Sequence, residues 1–314
     1  MKGMLYTADH HVYELPPLLE WNVRHTGTVP CDSWSVTAVY RPEMAPVLKM
    51  AAGFAAVEDG QTQLRGIVDE YSVELDQNGL TVTLAGRGYA ARLLDNESRP
   101  VTYERVTLRE LLRRHAEPYG ITVGEAAELS SAAPYTAGAG SSQWKVISEF
   151  CRAYGGFLPR FSKTGELLAA PEQAGRQLVL DESSPIRSCR LREDHYGVIT
   201  EALVIDKRQN ISYSVRNPEM IRKGGQCRRV VYTPGKSTWA AMRYTGEYQI
   251  QQSRQDEKTV TVSLPGSFGA FPGDRAELRL SKLGLEGFFR VAEAENRFSA
   301  REGAVMTWTL KECE

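Results

Sequence analysis

The sequence predicts a mainly β protein with an α/β insert, an α+β chain in which two β-rich, barrel-like units flank a small mixed unit. Three stretches predict it. Tyr71 to Leu75 (YSVEL) and Leu80 to Leu84 (LTVTL) are short β-branched and aromatic runs joined by Asp76-Gln77-Asn78-Gly79, the composition of a hairpin. From Pro100 the apolar period becomes that of helices, and from Gln177 strand-like runs return. The divisions that follow are 1–99 for the first β-barrel-like unit, 100–174 for the α/β insert and 175–314 for a second β-barrel-like unit, free to share strands with the first.

In chain order, Ser33 to Tyr40 alternates as a strand closed by Arg41-Pro42, and Val47 to Val57 is small and apolar. Glu58-Asp59-Gly60 then turns the chain into Leu64 to Val68. Beyond the hairpin, Gly86-Arg87-Gly88 reads as a strand exit into a short apolar helix, Tyr89 to Leu94. The spacing Gly86-x-Gly88-x-x-Ala91 matches a dinucleotide-binding turn, but its strand is the return arm of an antiparallel hairpin. The helix is also too short for a crossover, with Pro100 close behind, so the nucleotide reading is discounted.

Thr107-x-x-Glu110 is a capping box, with Leu108, Leu111, Leu112 and His115 at helical spacing behind it and a stop before Pro118-Tyr119-Gly120. Residues Ala126 to Ser142 are small and polar and read as a loop. A second helix spans Ser142 to Tyr154, with Trp144, Ile147, Phe150, Cys151 and Tyr154 on one stripe and Gly155-Gly156 as its stop. Phe157 to Phe161 and Glu166 to Ala169 flank a glycine turn.

Strands are expected at Gln177 to Leu180, Gly197 to Ile205 and Ile211 to Val215, the second with apolar residues on both faces, as in a packed barrel. Ser237 to Arg254 is polar with helical character. Strands follow at Lys258 to Leu264, Arg275 to Leu280, Gly287 to Ala292 and Ala304 to Leu310. This closing set has the element order of the unit around Leu64, which suggests a duplication without a long identical repeat.

At 314 residues two or three domains are expected. The net charge of −1, from 38 basic and 39 acidic residues, gives no electrostatic case for specific nucleic-acid binding or an anionic membrane. No apolar run approaches a membrane span, and no signal-peptide core precedes the strands, so cytosolic synthesis without a membrane anchor is expected. Five scattered cysteines, Cys31, Cys151, Cys189, Cys227 and Cys313, fit reduced thiols better than a disulfide framework.

Chemistry-bearing motifs are scarce. His10-His11 lacks a third ligand at useful spacing, His115 reads as a packed or rim residue, and Cys151 sits in an aromatic stripe as a structural thiol. Gly235-Lys236-Ser237 lacks the earlier glycine of a phosphate loop, where Val230 stands. Glu104, Asp181-Glu182, Glu193-Asp194 and Asp256-Glu257 suit solvated turns. Trp21, Trp34 and Trp239 are not grouped as a carbohydrate-binding face and read as core residues. No catalytic, cofactor or metal residue is therefore assigned, and the chain reads as an assembly protein, not an enzyme.

Three phrases, LRGIVDEYSVELDQNGLTVTLAGRGYAARLLDNE, VTLRELLRRHAEPYGITV and WKVISEFCRAYGGFLPRFSKTGELLAA, resemble baseplate hub proteins of contractile phage tails and phage-tail-like bacteriocins. That is the late control gene D family, with its Mu-type and defective-prophage hubs. The closing GDRAELRL and GFFRVAEAENRFSAREGAVMTWTL resemble that family's last barrel, and the resemblance spans roughly residues 20 to 312. It implies two tail-tube-like β-barrels per subunit and a homotrimer forming a pseudo-sixfold ring. Such a ring adapts the hexameric tail tube to the trimeric central spike, beside other baseplate proteins, in a tail made in the bacterial cytoplasm. It brings no catalytic residue and no cofactor. It implies that the Tyr71–Leu84 hairpin serves inter-subunit or tube-facing sheets. The alternatives are another tail-tip component, namely a distal tail protein or the N-terminal module of a tail-associated lysin, and a nucleotide-binding cytosolic enzyme.

Overall fold

A computed structural model of the chain describes residues 1–27, 31–77, 79–173, 175–233, 237–255 and 257–313. Asn78, Gly235, Lys236 and Asp256, singled out above, lie outside the described residues. The first region holds β1 (Lys2–Thr7), β2 (Val12–Glu14), β3 (Leu18–Thr26), β4 (Ser33–Val39), α1 (Ala45–Met50), β5 (Ala51–Glu58), β6 (Gln61–Ile67), β7 (Glu70–Asp76), β8 (Gly79–Arg87) and α2 (Ala90–Leu94). The insert holds β9 (Val101–Tyr103), α3 (Leu108–His115), β10 (Val123–Ala126), β11 (Tyr135–Ala137), α4 (Gln143–Gly155), β12 (Arg160–Phe161) and β13 (Leu167–Ala169). The last region holds β14 (Gln177–Asp181), β15 (Ser188–Glu193), β16 (Glu201–Asp206), β17 (Ile211–Arg216), α5 (Pro218–Arg222), β18 (Arg228–Tyr232), α6 (Trp239–Arg254), β19 (Lys258–Pro265), β20 (Arg275–Leu280), β21 (Leu285–Ser299) and β22 (Gly303–Glu312).

The fold is mainly β with an α/β insert. Eight strands run in one path, β15-β19-β22-β21-β3-β4-β8-β7, and β20 and β14 branch from β21 to complete a ten-stranded sheet. The β-rich ends of the chain are thus joined through the antiparallel β21–β3 ladder, Glu293 opposite Thr26 to Ser299 opposite Glu20. Alternation assigns the faces. Trp21, Val23, Trp34, Val36, Ala38, Val82 and Leu84 point to a first core, closed from the other side by the sheet β2-β1-β5-β6 through Leu5, Phe54 and Leu64. Val260, Val262, Leu278, Phe289, Val291, Trp308 and Leu310 build a second core. Each large apolar side chain so buried contributes about 2–3 kcal/mol, so each half of the sheet carries its own stabilising centre.

The insert has a third core, from Leu108, Leu111 and Leu112 of α3, Val146, Ile147, Phe150 and Cys151 of α4, and Leu167 and Ala169 of β13. The capping box forms as expected: the Thr107 hydroxyl accepts from the Glu110 N–H, and the Glu110 carboxylate accepts from the Thr107 N–H. Ser142 caps α4 through the Lys145 N–H, and Gly156 ends it in the left-handed conformation.

Three expectations need correction. Gly86 and Arg87 lie inside β8, not in a turn after it, because the strands of the two facing sheets cross there without a side chain between them. A Cβ on Gly86 would stand 2.0 Å from the Ile67 carbonyl oxygen, and one on Gly66 would stand 2.2 Å from that of Arg87. The strand expected from Gly197 starts at Glu201, and it is the centre of a separate sheet, β17-β16-β18, covered by α6, not part of a barrel wall. The run expected to end at Ala292 continues to Ser299, since a register shift between Val291 and Glu293 lets one strand serve both the β20 and β3 ladders.

Candidate functional site

Residues that could carry chemistry are occupied structurally. His115 is buried between the Tyr103 hydroxyl, 2.9 Å from Nε2, and Gln143 Oε1, 2.6 Å from Nδ1, and burial pulls its pKa down. Burial pushes the Cys151 thiol up to about 12, so it is protonated and inert at neutral pH. His11 stands at the surface, 3.1 Å from Asp9. Arg87, inside the glycine motif, donates to both Asp69 and Asp95, pinning β8 to the connection before β7 and to the end of α2. Asp181 caps its own turn through Ser183 and Ser184. Among the described residues no three His, Cys, Asp or Glu side chains converge to hold a metal ion. Trp21 stacks between Phe268 and Phe298, and Trp34 stacks on Phe54 at 3.8 Å, as expected of core residues. Trp239 departs from that expectation: it begins α6 at the surface, 56% exposed.

What the fold leaves unfinished is the two edges of the sheet. Among the described residues β7 pairs only with β8, and β15 only with β19. Every residue of β7 is exposed. In its ladder Tyr71, Val73 and Leu75 stand opposite Leu84, Val82 and Leu80, and so share the core-facing side. The first core does not reach them, and Leu75 is 74% exposed. Covering such side chains is worth about 1.5–3 kcal/mol each, and an exposed, flat, apolar edge is a template for another strand. On β15, Cys189 and Leu191 face the core side, opposite Val262 and Val260.

The opposite side of the sheet is polar along its length. Ser33, Ser35, Thr37, Thr81, Thr83, Thr261, Ser263, Thr307 and Thr309 occupy it, with Thr37 and Thr83 hydroxyls bonded at 3.0 Å. The two edges are charged: Glu70 and Glu74 lie on β7, and Arg190, Arg192 and Glu193 on β15. Arg192 reaches Asp194 within its own chain, whereas no ion pair is made by Glu70, Glu74 or Arg190 among the described residues. At the internal joint the same polarity is satisfied: Arg24 of β3 donates to Glu293 of β21 at 2.6 Å, and Asn22 donates to Glu295 at 2.9 Å.

β7 was legible from its β-branched and aromatic content beside a hairpin turn, but β15 was not singled out. Its Ser-Cys-Arg-Leu-Arg-Glu also alternates, and the signal was carried by one cysteine and one leucine among charges.

The chain shares its fold with phage-tail proteins. The tail protein of Neisseria meningitidis MC58 superposes with a TM-score of 0.79 at 16% identity, covering 99% of this chain and 96% of that one. The 43 kDa tail protein of prophage MuSo2 from Shewanella oneidensis gives 0.78 at 14% identity, over 99% and 97%. An Escherichia coli component of the type VI secretion system, itself similar to phage T4 tail proteins gp27 and gp5, gives 0.56 at 10% identity, over 95% and 74%. No protein-family model matches the chain, and no curated protein sequence does. Among the described residues no helix is long and apolar enough to cross a membrane.

Proposed function

We propose that the chain is a structural baseplate hub of a contractile tail or tail-like injection particle. Three copies form a ring of six similar parts that joins a hexameric tube to a trimeric spike. One observation carries this reading, a repeat in strand order. Numbered in sequence, β3, β4, β7 and β8 lie in the order first, second, fourth, third. The strands β15, β19, β21 and β22 lie in that same order, and every ladder in both sets is antiparallel. The two sets are joined head to tail, the third strand of one to the first strand of the other. A chain with two repeats fits a sixfold partner when three copies assemble, and a threefold partner by its true symmetry.

The large likeness to tail proteins over nearly the whole chain supports the same reading. In it the β-rich parts, 1–99 and 175–314, form the ring, and 100–174 packs outside it. The protein acts by binding, as a component built in the bacterial cytoplasm and carried in the assembled tail. Negative-stain microscopy together with mass in solution tests it. A threefold ring with an open centre is expected. A chain that stays monomeric, and forms no ring when its tube and spike proteins are supplied, would overturn the reading.

A further inference from the structure

We infer that the uncovered face of the small sheet β17-β16-β18 receives an acidic, apolar-faced helix from a different protein. The sheet lies in the connection between β15 and β19, outside the strand repeat on which the hub reading rests.

The central strand calls for a second cover. Ala202 and Val204 of β16 are fully buried on the side of α6, whose Gly246 packs against Val204 and Val215. By alternation Leu203 and Ile205 point the other way. Their neighbours there are Ser214 and Ser212 of β17 and Val230 and Tyr232 of β18. Val230 is 44% exposed and Tyr232 57%. β16 and β18 run parallel, and parallel strands are normally buried on both faces, with apolar residues at successive positions. Ala202-Leu203-Val204-Ile205 is such a run, in a sheet that α6 covers on one face.

Charge sets the chemistry of the occupant. From Glu201 to Arg254 the chain has ten Lys and Arg against four Asp and Glu, in a molecule of net charge −1. All four acids are engaged within the unit. Glu201 accepts from Ser214 and Arg228, and Asp206 from the backbone of Arg208, Gln209 and Ser237. Glu219 pairs with Lys223 and Arg254, and Glu247 with Arg243. The guanidinium groups of Arg208, Arg222 and Arg229 make no ion pair among the described residues. On the open face Arg216 and Arg228 flank Glu201 at one end of the apolar rows. Lys207 lies over the Tyr232 ring at the other end, 4.1 Å from its centre. Those ends are about 20 Å apart along β16, the length of a helix of about thirteen residues. A helix with one apolar side and carboxylates near both ends matches them.

A second copy does not offer that helix. α3 and α4 spend their apolar faces on the third core, α1 and α2 carry no acid, and the acids of α5 and α6 are paired. Nucleic acid would satisfy the bases and leave Leu203, Ile205 and Val230 uncovered. A bilayer would need the apolar side chains to project beyond the charges, whereas they lie between them.

The test uses the full chain and two helical peptides of about fourteen residues with the same leucine face, one ended by glutamates and one by lysines. At low salt, fluorescence anisotropy should show the glutamate peptide binding at least about tenfold tighter. Hydrogen exchange should show new protection in β16 and β18. Val230→Glu, at an exposed edge position, should weaken that binding about tenfold, and Arg216→Glu should narrow the preference for glutamate. Tyr244→Ser, on the outer side of α6, should change neither. Equal binding of the two peptides, binding of neither, or protection confined to other elements would overturn the inference. Displacement of the glutamate peptide by phosphatidylserine vesicles or single-stranded DNA at lower concentrations would overturn it as well. Each of these outcomes leaves ring formation, and with it the hub reading, untouched.

Discussion

Gly86 and Gly66 show how one residue type reads two ways. The spacing of Gly86 and Gly88 in the sequence invites a phosphate, yet what approaches the backbone of Gly86, and of Gly66, is another backbone. Neither has a positive φ, so the requirement is space alone. Gly86→Ala would put a methyl into the Ile67 carbonyl and press on Trp34, whose indole N–H donates to that same oxygen at 3.1 Å. Destabilisation of about 3 kcal/mol is expected, at the upper end for an overpacked core, measured as a shifted urea midpoint with unchanged slope. His115 gives a second residue-scale expectation, in pH. Its pKa is lowered on folding by burial, so the unfolded chain binds the proton first. Its contribution to stability is complete above 6.5, the ordinary value, and is lost as pH falls through the lowered native pKa. The slope cannot exceed about 1.4 kcal/mol per pH unit for one proton. Urea unfolding at several pH values should show this slope in the parent chain and a shallower one in His115→Gln.

At the scale of elements, legibility followed how much of each element's stability is local. α3 and α4 carry their own caps and apolar stripes, so both were readable to within a residue or two. The β7–β8 hairpin announced itself by alternation, because one ladder specifies it. β1 and β15 went unmarked, since each is held by a partner distant in sequence, β1 by β5 and β15 by β19. The length of β21 was hidden because Glu293 to Ser299 is largely polar and reads as a loop, although that half pairs with both β22 and β3. Trp239 was misplaced because aromatic content argues for burial, while α6 turns Met242 and Gly246, not Trp239, onto its small sheet.

At the scale of the molecule, the repeat explains where the chain tolerates elaboration. In the first repeat, β3 is connected to β4 by residues 27–32. In the second, the equivalent connection, from β15 to β19, runs through residues 194–257 and holds β16, β17, α5, β18 and α6. Its ends are nevertheless adjacent, Glu193 standing opposite Lys258 in the ladder. Its buried residues, Ala202, Val204, Met220 and Met242 among them, stand apart from the side chains that form the second core. The excursion is therefore an addition to a hairpin that the sheet already specifies. Replacing residues 194–257 with an Asn-Gly turn should leave a soluble chain that unfolds cooperatively, within about 5 °C of the parent midpoint. The same chain should associate as the parent does, because both four-strand repeats are retained. Failure to fold would mean that this unit supports the second core after all. Folding without association would place part of the interface on α6 and its sheet, where Tyr232, Trp239, Tyr244 and Tyr248 are exposed.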